Sequence, residues 1–449
     1  MTFDTSSVHA FQSHFDGDII LPESPEYESA STVFMAKGAP AIVVRPRTDV
    51  AVAESVKFAK EHTLVISVRS GGHSGAGHST NDSGIIIDLM HLNKVEVIDT
   101  AKNTVRIEGG AHWGPTADQL QKLGLAISSG DTNTVGVGGL ATAGGIGWMV
   151  RKYGLTIDSL VGATVVTASG EILQASKTTN PDLFWGIRGG GGNFGIVTSF
   201  EFEAHPIGEV YAGSIVYDFA ERGEILKKWR DYMRTASEDL STMIMPMPSM
   251  PAFGGQPAAL VLLACYASDN QEEATKVIAA LKDFGTVLSD DIQKKPYAEV
   301  LEDAHPPQGF QVLVNDALIS DFSDELIDTI VKNDTQMLQI RSVGGAMNRV
   351  SKDATAFAHR ASEALIIAPV FMSPAASQSE IDSALEPWRA IAKFGQGAYI
   401  NFFNEWTSVE STAAYPPATF NKLVALKRQY DPENIFHRNY NIAPDSELR

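Results

Sequence analysis

Apolar and polar positions follow two regimes along the chain. Up to about residue 202 short apolar runs dominate. Ala41-Ile-Val-Val44, Val65-Ile-Ser-Val68 and Ile85-Ile-Ile-Asp-Leu89 predict buried strands, and the first two are joined by a helix carrying Val52, Val56 and Phe58 behind the cap Thr48-Asp49. Lys94-Val-Glu-Val-Ile98 and Thr104-Val-Arg-Ile107 alternate with period two, as half-buried strands do. A helix is predicted from Pro115, suited to a first turn, to Gly124, suited to a stop, and a strand over 163–167. Beyond Phe200-Glu-Phe202 longer helical patterns appear over 223–237 and 271–284, with strands at 258–266 and 337–343. A closing helix over 419–430 ends at Asp431-Pro432. Runs of strand, helix and strand in this second regime predict a separate α+β unit. The chain has no solenoid-length repeat and no low-complexity tract.

Composition sharpens this picture at three points. Of 38 glycines in 449 residues, sixteen fall between Gly130 and Gly195 and five between Gly71 and Gly84, marking backbone that must turn tightly or approach a ligand. The 54 acidic residues outnumber 35 basic ones, a net charge of -19, which argues against nucleic acid or an anionic membrane surface as partner. The lone Cys265 sits in an apolar run, predicts a buried thiol, and excludes an intrachain disulfide or a cysteine-based metal site. No Lys or Arg precedes Lys37 while six acids do, unlike a secretory or transit leader. The longest apolar runs fall far short of the roughly 20 residues that span a bilayer. The expectation is a cytoplasmic protein without a membrane segment.

Two glycine motifs invite a nucleotide. Gly190-Gly-Gly-Asn-Phe-Gly195 matches GxGxxG, but a dinucleotide fingerprint should open a helix, and Ile196-Val-Thr-Ser-Phe-Glu-Phe202 alternates like a strand. Gly136-Val-Gly-Gly-Leu-Ala141 is no stronger alone. Arg69-Ser-Gly-Gly-His-Ser-Gly-Ala-Gly77 directly follows an apolar strand. Its successive small residues can point backbone N–H groups into one concavity, a nest for a pyrophosphate, with Arg69 adding positive charge. A neutral His73 there is a nucleophile beside the bound group or a surface histidine in a turn. Ser74 lacks the GxSxG context of a hydrolase elbow, since Gly72-His-Ser-Gly-Ala76 ends in alanine. His73 and His78 lack the spacing and further ligands of a zinc site, and no metal is expected.

The order and spacing of five segments resemble the FAD-linked oxidases of the vanillyl-alcohol oxidase superfamily, in the berberine-bridge-enzyme-like branch and nearest to its hydroxynicotine-oxidase-like, monocovalent flavoproteins. They are Arg69-Ser-Gly-Gly-His73; 130–147; Tyr153-Gly-Leu-Thr-Ile-Asp-Ser159; Leu183-Phe-Trp-Gly-Ile-Arg-Gly-Gly190 with Asn193-Phe-Gly-Ile-Val197; and Tyr430-Asp-Pro-Glu-Asn-Ile-Phe436 with Asn439-Tyr-Asn-Ile442. The resemblance implies an α+β fold. A PCMH-type FAD-binding domain of two subdomains would cover 36–207, and a substrate domain with an antiparallel sheet 208–400. The segment 401–449 would return to the FAD domain.

It also implies roles. Arg69, Ser70, Gly71, Gly72, His73 and Ser74 would wrap the FAD pyrophosphate, with His73 bonded to the flavin C8 methyl carbon. Gly130, Asp131, Thr132, Val135, Gly138, Gly139, Gly144, Gly145 and Asp158 would line the cofactor, Ile196 and Val197 would lie near the adenine, and Asn439, Tyr440 and Asn441 would return to the flavin. Many relatives carry a second flavin link through a cysteine where Thr132 stands, so FAD would be covalent through His73 only. Val135 matches a position where valine goes with access for dioxygen, which favours an oxidase over a dehydrogenase.

The implied reaction takes hydride from a carbon bearing OH or NH to flavin N5, and dioxygen then accepts the electrons as hydrogen peroxide. The partners are thus a small-molecule substrate and dioxygen. Tyr399 and Asn401, alternate residues on an expected strand, would share a face over the flavin, with Tyr399 as base or hydrogen-bond donor. Gln339 and Arg341 stand where the nicotine oxidases carry acids. Arg341 there suits a carboxylate, a phenolate or sugar hydroxyls better than a cationic amine, or pairs with an acid of the domain. A flavin dehydrogenase or oxidative cyclase, a non-catalytic binding protein and a Ser74 hydrolase remain as alternatives.

Overall fold

The computed structural model describes residues 5–249, 255–305 and 309–449. Three larger sheets carry the described residues, beside a two-stranded ribbon of Leu125–Ala126 and His205–Pro206. Strands Ile42–Pro46, Ile85–Asp88 and Ile66–Arg69 pair in parallel in that order, with Gly17–Ile20 antiparallel on the outer edge. The helix Asp49–Glu61 makes the crossover between the first and last of these, capped by Thr48 Oγ1, which accepts from Ala51 N–H. It buries Val52, Val56 and Phe58 on the face the pattern selected. Parallel strands covered by a helix need continuous apolar runs, and Ile85, Ile86 and Ile87 are fully buried.

The second sheet is antiparallel, in the order Val95–Asp99, Thr104–Glu108, Ile196–Glu203, Leu160–Val166, Ile172–Ser176. Its edge strand Val95–Asp99 shows the half-buried alternation read from the sequence. GxGxxG runs through a single 3-10 turn, Gly191–Asn193, into strand Ile196–Glu203, and opens no α-helix. The third sheet has eight antiparallel strands among the described residues, with Val287–Asp290 and Gln293–Pro296 both pairing Glu209–Asp218 at one edge and Gln311–Ile319 at the other, and Cys265 buried in Ala259–Tyr266. Gln339–Ser342 lies between Leu240–Met247 and Ala364–Met372. No described helix is long and apolar enough to cross a membrane.

The chain end then packs back onto the second sheet. Tyr415, Phe420, Leu423, Tyr440 and Ile442 share one hydrophobic cluster with Phe184, Phe194 and Phe200. A buried polar knot pins this return. Lys427, on helix Pro417–Tyr430 and wholly buried, donates to Asp431 at 2.7 Å and to the carbonyls of Asn193 and Phe436 at 2.9 and 2.8 Å. Asp431 accepts in turn from the N–H groups of Ile435 and Phe436, and Asn193 Oδ1 from Ile442 N–H. Every partner in the knot is satisfied, which is the condition under which a buried ion pair is tolerated. Lys427→Met would leave the Asp431 carboxylate buried without its cation. It should cost about 3–5 kcal/mol, read as a fall in the chemical-denaturation midpoint without a change in slope.

Candidate active site

Strand Ile66–Arg69 delivers the first glycine loop, and its last residue turns away from the loop. Arg69 is buried, ion-paired with Asp88 at 2.5 Å and bonded to the carbonyls of Ala30 and Thr32. The cause is register: Arg69 sits opposite Asp88 in the parallel ladder. The expected charge beside a pyrophosphate is therefore spent within the scaffold. From Ser70 onward the loop faces a cavity. Ser70 Oγ donates to Gly109 O at 2.6 Å and accepts from Gly138 N–H at 3.2 Å, joining the two glycine clusters. Gly71 and Gly136 meet backbone to backbone; a Cβ on Gly71 would stand 2.3 Å from Gly136 N.

His73 lies between these loops. Its ring stacks on Phe34, centroids 4.4 Å apart at 21°, and its Nε2 is 2.9 Å from Thr134 Oγ1. Burial, reinforced by neighbouring His112, pushes its pKa down to about 4, so the imidazole is neutral at physiological pH. His78 is held edge-on to Tyr440 and is likewise lowered to about 4 by burial. Among the described residues no cluster of three metal-ligating side chains forms.

The cavity, about 590 Å³, is lined by four parts of the chain. The glycine loops supply Ser70, Gly71, Gly72, His73, Ser74, Gly130, Asp131, Thr132, Val135, Gly138 and Gly139, and the second sheet supplies Ile196 and Val197. Gln339 and Arg341 come from the third sheet, and Tyr399, Asn401, Asn439 and Tyr440 from the returning end. Gly144, Gly145, Asp158 and Asn441 do not line it. Asp158 takes a two-pronged ion pair from Arg360 at 2.7 and 2.9 Å and caps Leu155 N–H, a scaffold role. The Asn441 carbonyl accepts from Trp406 Nε1. Gly144 backs the Tyr399 ring, where a Cβ would lie 3.2 Å from it.

Tyr399 and Asn401 do not lie on a strand. Ile400–Phe402 is one 3-10 turn, because Tyr399 N–H donates to the buried Asp316 carboxylate at 2.6 Å instead of to a neighbouring strand. The two side chains still converge: Asn401 Nδ2 donates to Tyr399 Oη at 2.8 Å, as does Gly145 N–H at 3.0 Å. Burial drives the Tyr399 pKa up to about 12 against the pull of those two bonds and of Arg341. Arg341 Nη2 meets Asp131 at 2.6 Å and Gln339 Oε1 at 3.2 Å, with the guanidinium 5.8 Å over the Phe402 ring. Arg341 does pair with an acid, but Asp131 comes from the glycine loop and not from Arg341's own domain as expected.

Several lining residues lay outside the expected set: Phe34, Arg438, Asn404 and the apolar group Val312, Val314 and Phe371. Arg438 stands in the gap between the two tail segments, 430–436 and 439–442. Phe34 carries no local signal.

The walls suit an elongated anionic cofactor. Ten lining residues are glycine, and a Cβ on Gly139 or Gly192 would enter open space, so backbone itself is offered to whatever fills the cavity. The one carboxylate among the described lining residues, Asp131, is tied to Arg341 and leaves none free to repel a pyrophosphate. Sequence comparison agrees with this fit. Residues 40–176 match the FAD binding domain family, and 398–443 the family of berberine and berberine-like proteins. An FAD-linked oxidoreductase of Dictyostelium discoideum is 31% identical over 98% of this chain and 97% of its own. The (R)-6-hydroxynicotine oxidase of Paenarthrobacter nicotinovorans is 31% identical over 96% and 97%. The crystal structure of 6-hydroxy-D-nicotine oxidase from Arthrobacter nicotinovorans superposes with a TM-score of 0.85 at 29% identity, covering 96% of this chain and 98% of that one. A glycine-walled cavity closed by a returning tail, matched along nearly the whole chain, places the protein among the berberine-bridge-enzyme-like FAD-linked oxidoreductases.

Proposed function

We propose that the chain is an FAD-dependent oxidase that holds its flavin through His73 alone and takes hydride from a hydroxyl-bearing carbon of a small, uncharged substrate. The observation that carries this reading is the meeting, in one cavity, of a neutral imidazole on the glycine loop with the Tyr399–Asn401 pair on the returning segment. Bound FAD would supply the hydride acceptor and pass the electrons to dioxygen, giving hydrogen peroxide. Within the cavity Ser70, Gly71, Gly72, Ser74, Gly130, Gly138 and Gly139 would run along the cofactor, with Ile196, Val197, Asn439 and Tyr440 closing around it. Thr132, where a second link would need a thiol, has none to offer, and Cys265 is buried elsewhere. Val135, small and at the wall, supports access for dioxygen. Residues 36–207, 208–400 and 401–449 would act as FAD-binding, substrate-binding and closing segments.

Tyr399 would orient the donor hydroxyl and take its proton. Its oxygen already accepts two hydrogen bonds and no described residue accepts its own proton, so once that proton is lost the remaining lone pair of the phenolate is free to take the substrate's. Asn401 and Gly145 would stabilise the phenolate that a proton-accepting role requires. Val312, Val314, Phe371 and Phe402 offer an apolar bed for the substrate body. The Arg341–Asp131 pair cancels its own charge, and no free lining carboxylate awaits an ammonium, which supports an alcohol over a cationic amine.

Two outcomes check this reading. Acid precipitation should carry the yellow colour into the pellet for the native chain, whereas His73→Ala should release its flavin to the supernatant; a colourless native pellet contradicts the link. Tyr399→Phe should lower kcat for its best alcohol by about 10²–10⁴-fold with FAD content unchanged. Because burial raises the Tyr399 pKa to about 12, the ionised fraction grows with pH, so native turnover should climb across the alkaline range and the variant's should not. Peroxide release from a panel of alcohols, sugars, phenols and amines measures both, and a preference for cationic amines would contradict the substrate reading.

A further inference from the structure

We infer that Thr134 is the positioning residue that turns His73 so that Nδ1 faces the flavin C8 methyl carbon, an inference resting on the His73 link proposed above. Two contacts hold the imidazole, and they restrict different motions. Stacking on Phe34 at 4.4 Å fixes the plane of the ring but permits a half-turn within it. That half-turn exchanges the nitrogen and carbon positions of the ring, and only one of the two orientations keeps Nε2 within 2.9 Å of Thr134 Oγ1. The hydroxyl thus selects one orientation. The hydroxyl can serve either tautomer; in the one the attachment requires, Nε2–H donates to Thr134 and the lone pair resides on Nδ1, which bonds no described residue.

Thr134 is itself well placed to impose this. Its backbone lies on the strip that abuts the histidine loop, where its carbonyl oxygen would stand 2.7 Å from a Cβ on Gly71. On either side of it, Asn133 N–H donates to Glu302 O at 2.8 Å and Val135 O accepts from Trp113 N–H at 3.0 Å. The partner is uncharged, so it orients the imidazole without favouring its protonation, in keeping with the neutral form that burial beside His112 already favours. A carboxylate in the same place would stabilise imidazolium and withdraw the lone pair.

His73 Nδ1 forms a bond to the methyl carbon while that carbon loses one hydrogen as a proton, and the Nε2 hydrogen leaves as a second proton past Thr134. The electron pair of the broken C–H bond enters the isoalloxazine and is handed to dioxygen, which leaves with both protons as hydrogen peroxide. Thr134 supplies neither electrons nor atoms. It holds the nucleophile in aim and receives the developing positive charge at Nε2 through its hydroxyl oxygen.

The test follows FAD incorporation rather than turnover. Thr134→Val keeps the shape and removes the hydroxyl; Thr134→Ser keeps the hydroxyl. Each variant, prepared with limiting flavin and then mixed with FAD in air, is followed by visible absorbance for binding and by acid-stable fluorescence in denaturing gels for attachment. Thr134→Val should bind FAD yet attach it about tenfold more slowly, the worth of one hydrogen bond, while Thr134→Ser attaches it near the native rate. Native attachment by Thr134→Val overturns the inference and leaves the His73 link standing. Failure of both variants to bind FAD also overturns it, by making Thr134 a support of the cavity. A native chain whose flavin is wholly released by acid removes the link itself, and the inference with it.

Discussion

Gly71 and Gly136 lie so close that a single methyl group on either would drive the two loops apart. That backbone contact sets the rest of the site. It brings the end of a parallel strand, where Ser70 and His73 stand, against the turn that leads into helix Val137–Ala143. Ser70 bridges the same junction, and the His73–Thr134 bond spans it a few residues on. Neither cluster alone makes a cavity; apposed, they expose amide-rich backbone along one wall. One glycine from each of the two rich stretches makes this contact.

The opposite wall depends on a different constraint. The chain leaves the second sheet, builds the third, and must come back to finish the cavity. Apolar packing of Tyr415, Phe420 and Tyr440 holds it there, but apolar packing is non-directional and would tolerate sliding. Lys427, Asp431 and Asn193 add directional bonds between the returning helix, the tail and the GxGxxG turn. The motif that mimics a nucleotide fingerprint thus serves in part as the socket for the tail. On the substrate side the acidity of the chain, -19 overall, is absent from the wall, where the only described carboxylate is bound to Arg341.

What could be read from residues alone follows physical lines. Strands with unbroken apolar runs and helices with clear caps were legible within a few residues, since burial and capping are local properties of sequence. The glycine loops and His73 were legible because small residues after a buried strand have few other uses. Arg69 and Asp158 turn away from the cavity for one reason: the direction of each is set by an ion-pair partner that its local sequence does not announce, Asp88 for one and Arg360 for the other. Tyr399 and Asn401 were paired correctly on the wrong element, because the bond that ends the strand comes from Asp316, 83 residues earlier. Thr134 was within a recognised segment, yet nothing local distinguishes a threonine that holds an imidazole from one that fills a turn.

The proposed function rests on one bond, between His73 and the flavin. Trypsin, cutting after Arg69 and Lys94, isolates His73 in the peptide 70–94. Tandem mass spectrometry of the digested native protein should find FAD on that peptide alone, localised to His73, with the peptide containing Thr132 and every other peptide unmodified. Flavin on His78 or His91, on another peptide, or on none would contradict the account.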